Sequence, residues 1–68
     1  MTASKAIHDM RNPLNSITMN AELGNLIVQG GSIDPERLKK IFTIILRECK
    51  DCSDRLEDLT LYLDQQSE

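Results

Sequence analysis

Gly30-Gly31-Ser32-Ile33-Asp34-Pro35-Glu36-Arg37-Leu38 stands between two long apolar periodicities, and its reading decides the fold. Gly30-Gly31 supplies the left-handed residues that end a helix. Asp34 is a good N-cap, Pro35 suits a first helical position, where its missing N–H costs nothing, and Ile33 with Leu38 has the spacing of a hydrophobic staple. One helix therefore stops at this stretch and another starts within it. A turn this short makes the two antiparallel.

Upstream, Ala3, Ile7, Met10, Leu14, Ile17, Ala21, Gly24 and Val28 alternate by four and three, a heptad pattern capped at its start by Thr2 or Ser4. Downstream, Leu38, Phe42, Ile45, Cys49, Cys52, Leu56, Leu59 and Leu63 do the same. The pattern predicts helices over about 4–29 and about 35–64, joined by a turn at 30–34, with residues 65–68 fraying. Leu23, Leu26 and Ile27 widen the first stripe, and Ile41, Ile44 and Leu46 the second. Both are broader than a coiled-coil seam. Two helices cannot surround a core, so the expected fold is all-α: a single domain over 1–68, built as an antiparallel two-helix hairpin that forms a homodimeric four-helix bundle.

Eleven acids against eight interspersed bases give a net charge of -3, which argues against a nucleic-acid or anionic-membrane surface. One Phe, one Tyr and no Trp leave almost nothing for stacking on bases. No stretch approaches the ~20 apolar residues of a spanning helix, and the first residues do not read as a signal peptide. The segment is expected to be cytoplasmic and to make no membrane contact itself. A membrane-anchored parent would leave no trace in a piece of this length.

His8-Asp9-Met10-Arg11-Asn12-Pro13-Leu14 carries the only histidine. Position 8 lies ~100° around a helix from Ile7, at the flank of the apolar stripe, and Asn12 and Asn15 follow at i+4 and i+7 in a polar line. Pro13 removes a helical hydrogen bond and crowds the carbonyl of Asp9, so a bend is expected beside the histidine. A lone helical histidine is usually a solvated surface residue. The acid, amide and proline around this one point instead to a reactive site, since imidazole suits nucleophilic and proton-transfer work near neutral pH.

This heptapeptide resembles the phosphoacceptor box of the dimerisation and histidine phosphotransfer domain of two-component sensor histidine kinases. The likeness extends to nearly the whole chain, because that family domain is also a dimerising helical hairpin of this size. The resemblance implies that His8 accepts the γ-phosphoryl group of ATP and passes it to an aspartate of a response-regulator receiver domain. It implies that Asp9 holds the imidazole and takes its proton, and that Asn12 orients nucleotide or a hydrolytic water. Arg11, Asn15, Ser16 and Met19 would face partners, although Arg11 reads equally as a solvated charge and Met19 as a filler between helices. Glycines occur only at 24, 30 and 31, in no phosphate-cradling pattern, so no cofactor is expected on this chain. ATP and magnesium would come with a separate catalytic domain. Two rival readings keep the hairpin: a dimerising scaffold or kinase inhibitor without chemistry, and a free-standing phosphorelay intermediate.

Cys49-Lys50-Asp51-Cys52 is formally a Cys-x2-Cys pair, but a closed zinc site needs four ligands and both thiols fall on the apolar seam. There a cysteine acts as a small hydrophobe. No metal site is expected.

Overall fold

The computed structural model describes residues 2–66. They form α1 (Ala3–Asp9), α2 (Arg11–Gln29) and α3 (Pro35–Gln66), with no strand among the described residues. Thr2 caps α1, its Oγ1 accepting the Lys5 N–H at 3.1 Å. Asp34 caps α3, its Oδ1 accepting the Glu36 N–H at 3.1 Å while its carbonyl accepts from Leu38. These caps satisfy amides that a helix start leaves without an intrahelical partner.

The turn uses one left-handed residue, not two. Gly30 keeps right-handed helical angles (φ -70°) and closes α2 by donating to the Leu26 carbonyl, whereas Gly31 lies at φ 77°. Gly31 thus carries the reversal that leads into Asp34.

The continuous first helix expected over about 4–29 is interrupted at Met10. Pro13 has no N–H for the Asp9 carbonyl and its ring crowds that oxygen, so the regular ladder fails one turn upstream. The chain still follows a helical path, with Met10 donating to Ala6 at 3.2 Å and accepting from Leu14 at 3.3 Å. Pro13 itself falls in the first turn of α2, where a missing donor is tolerated. The last helix reaches Gln66, past the expected end at 64, so Gln65 and Gln66 are helical. The remainder of the stretch expected to fray, Ser67 and Glu68, lies outside the described residues.

Both α1 and α2 pack along α3, giving a rod of 56 × 16 × 13 Å. Each predicted seam divides in two on this rod. Ala3, Met10, Ile17 and Gly24 on one side, and Leu38, Ile45, Cys52 and Leu59 on the other, are buried or half-buried. The alternate positions, Ile7, Leu14, Ala21, Val28 and Phe42, Cys49, Leu56, Leu63, stay exposed, Ile7 by 56% and Phe42 by 57%. Ala21, Val28 and Phe42 line one open groove with Ile41 at its floor. No helix among the described residues is long and apolar enough to cross a membrane.

The two turn glycines should respond differently to the same substitution. Gly31→Ala forces a Cβ into the left-handed region and should cost ~1–2 kcal/mol of stability. In Gly30→Ala the new Cβ meets the Leu26 carbonyl oxygen at 3.4 Å, with no positive φ, and the change should be nearly neutral. Thermal melts of the two variants at matched concentration check this, and equal losses would contradict the turn geometry described.

Candidate functional site

His8 is the penultimate residue of α1 and its ring is exposed. Asn12, Asn15 and Met19 continue from it along one exposed stripe that crosses the break at Met10, and Arg11 is exposed beside them. Met19 is 68% exposed, so it does not fill a gap within the hairpin. Ser16 is half-buried, its carbonyl accepting from Asn20 Nδ2 at 2.8 Å.

Asp9 is placed apart from this stripe. Adjacent helical positions do not face one another, and Asp9 turns into the cleft between α1 and α3. Among the described residues its hydrogen bond goes to Lys5 Nζ at 3.2 Å, not to His8. The cleft is small, about 90 Å³, and is lined by Ala6, Asp9, Arg55 and Asp58. Arg55 is tied to its own helix by donating from Nε to Asp51 Oδ2 at 3.0 Å. That hydrogen bond and the Asp51 charge hold the guanidinium further toward its charged form, against a small opposing effect of burial; Asp9 and then Cys52 add weaker pushes in the same direction.

Two chemical consequences follow from this layout. An exposed imidazole at a helix irregularity is open to an incoming phosphoryl group, because none of the described residues covers it. The glycines lie away from it: Gly24 packs against Ile41, and Gly30 and Gly31 close α2 roughly 30 Å away at ~1.5 Å per residue. Cys49 is exposed on the outer apolar line and Cys52 is half-buried, both as free thiols. Among the described residues no group of three or more His, Cys, Asp or Glu gathers to hold a metal.

Arg55, Asp51, Asp58 and Lys5 do not stand out in the sequence as site residues. The pairs Lys5–Asp9 and Asp51–Arg55 have the i,i+4 spacing of helical ion pairs, which is a legible signal. The approach of Arg55 to Asp9 needs the register of the hairpin. Residues equidistant from the turn face each other, as Gly24 and Ile41 do, and the same count brings Asp9 beside Arg55.

The family model described as the His Kinase A (phospho-acceptor) domain matches residues 2–68. No curated protein and no solved structure matches the chain.

The break beside His8 depends on one residue. Pro13→Ala supplies the missing donor, so the new amide at position 13 should bond the Asp9 carbonyl and join α1 to α2. Hydrogen exchange followed by NMR should show that amide protected and the amides of α1 protected more than in the parent. An unprotected amide at 13 would mean that something other than the proline makes the break.

Proposed function

The chain belongs to the His kinase A (phospho-acceptor) domain family, a phosphoacceptor and dimerisation module of histidine kinases, and from that premise we propose that His8 is the residue that carries phosphate. The observation that supports it most is the exposed ring of the only histidine, at the head of the Asn12 and Asn15 stripe and beside the helix break. A ring nitrogen of His8 attacks the γ-phosphorus of ATP, an N–P bond forms, and the bond to the ADP oxygen breaks. The ring proton passes to Asp9, whose carboxylate must swing toward His8 to take it. Asn12 orients the incoming phosphate or, in reverse, a water. In a second transfer the N–P bond breaks as an aspartate oxygen of a response-regulator receiver domain takes the phosphoryl group.

ATP and magnesium belong to a separate catalytic domain; the support is that the three glycines of this sequence form no phosphate-cradling pattern. The receiver domain docks on the stripe below His8, through Arg11, Asn15, Ser16 and Met19. Support for this face comes from the exposure of Met19, a large apolar side chain with no cover in the hairpin.

The hairpin pairs with a second copy into a four-helix bundle. A compact protein of 7.7 kDa should expose about 4,300 Å², and this chain exposes 5397 Å², an excess of roughly 1,000 Å². A standard interface hides ~800 Å² per partner, so the excess is of the size that one such contact removes. The outer heptad lines through Leu14 and Leu56 are the surface it would cover.

Sedimentation at micromolar concentration should give about twice the chain mass, with stability that rises with protein concentration. A folded helical monomer there would sink the bundle.

With ATP, magnesium and a matching catalytic domain, the protein should gain an acid-labile, base-stable phosphoryl group. His8→Gln should abolish it without loss of helix or dimer, and Asp9→Asn should slow it by ~10², the scale of losing an acid-base group. Wild-type labelling in His8→Gln would overturn the assignment.

A further inference from the structure

We propose that Arg55 is a positioning residue that holds the Asp9 carboxylate in the cleft between α1 and α3, turned away from His8, and that the base for His8 is freed when this cross-helix pairing lets go. The proposal rests on the reading of His8 as the phosphoacceptor and adds what governs its neighbouring acid. Three observations carry it. Asp9 and Arg55 line the same small cleft from opposite helices. Arg55 is anchored by Asp51, so its charge is fixed in place opposite α1. Finally, α1 contributes no buried side chain, so apolar packing does little to hold its rotation. The orientation of α1 therefore depends on its charges.

Those charges are few. On α1 Lys5 pairs with Asp9 from its own helix, on α2 Arg11 is exposed next to the break, and on α3 Asp51, Arg55 and Asp58 stand at or beside the cleft. Asp58 repels Asp9 and Arg55 attracts it, so Arg55 is the group on α3 that keeps the carboxylate in the cleft. The irregular backbone at Met10 lets α1 turn without carrying α2 with it. Once the attraction of Arg55 is lost, the Asp9 side chain swings out of the cleft toward the His8 ring.

A test that needs neither ATP nor a catalytic domain is the reaction of the 68-residue chain with diethyl pyrocarbonate. A neutral ring nitrogen attacks its carbonyl, an N–C bond forms, and ethyl carbonate leaves with the ring proton. His8 is the only histidine, so the rate followed by the absorbance of the carbethoxyimidazole product reports that ring alone. Arg55→Gln should raise the rate about two- to fivefold, the scale set by an exposed ion pair, because the freed carboxylate can accept the ring N–H. Arg55→Lys should return the rate to that of the parent. In an Asp9→Asn background Arg55→Gln should have no effect. An unchanged rate in Arg55→Gln, or an equal increase with Asp9→Asn present, would overturn the proposal, the latter by showing general loosening.

Should Arg55→Gln lose helix or change its mass in solution, Asp51→Asn decides instead. It keeps the cation but removes the anchor that fixes it opposite α1, so Asp9 is released more often and the rate should rise; a fall or no change would count against Arg55. Failure of His8 to label with ATP, together with the expected modification rates, would reject the phosphoacceptor reading and leave the Arg55 contact standing. Normal labelling with flat modification rates would do the reverse.

Discussion

A pair of helices can cover only the surfaces that face each other, and that limit organises this molecule. Each helix presents a heptad pattern whose alternate positions point in different directions once the hairpin closes. Met10, Ile41 and Leu59 are buried by the hairpin, yet among the described residues no side chain is fully enclosed. Ile7, Leu14, Val28, Phe42, Leu56 and Leu63 remain in contact with water on the outer lines. Apolar burial drives folding, and so little of it within one hairpin is what motivates the proposed pairing with a second copy. The same limit explains why Gly24 and Ile41 meet closely while Ala21, Val28 and Phe42 leave a groove: the first pair belongs inside the hairpin and the others to its outer face.

Pro13 imposes the second constraint. Its missing donor separates a seven-residue α1 from the rest of the long helix, and the histidine rides on that short piece. α2 is held at its start by the buried Pro13 and Met10, whereas α1 has no buried side chain and meets α3 at the cleft that Asp9 and Arg55 line. Exposed ion pairs are weak and salt-dependent compared with apolar burial. Hence the segment bearing His8 is the part of the rod whose orientation changes at least cost, while the scaffold below it stays fixed.

Much of this was legible in the residues alone. The cap at Asp34, the antiparallel hairpin and the exposed polar stripe through His8 and Asn12 follow from spacing and local chemistry, because capping and periodicity act over a few residues, whereas Thr2 and Ser4 are equal candidates for the first cap and the structure uses Thr2. The break at Met10 was anticipated only as a bend, since the proline rule locates the lost hydrogen bond but not how the neighbouring turn readjusts. Gly30 and Gly31 read alike on paper, and only the path of the chain shows that one of them takes the left-handed angles. The division of each seam into an inner and an outer line, and the meeting of Asp9 with Arg55, depend on rotation and register between helices. Neither quantity is written into one helix.

The charge pattern of α3 gives the Arg55 contact its physical setting. From Pro35 to Lys50 the helix carries five basic and two acidic residues; from Asp51 to Gln66 it carries five acids and Arg55 as the single base. This polarity runs against the helix dipole, which favours acids at the start and bases at the end, so helix stability does not account for it. In the antiparallel hairpin the acidic half of α3 lies along α1. A second carboxylate brought there on α1 would meet mostly like charge. Asp9 sits in that cleft with Lys5 on its own helix and Arg55 across from it, and the loss of Arg55 leaves it facing Asp58 with reason to turn outward. His8 is the exposed neighbour one residue away, so under the proposal a carboxylate released by the arginine and repelled by the acids of α3 has the ring within reach of a side-chain swing.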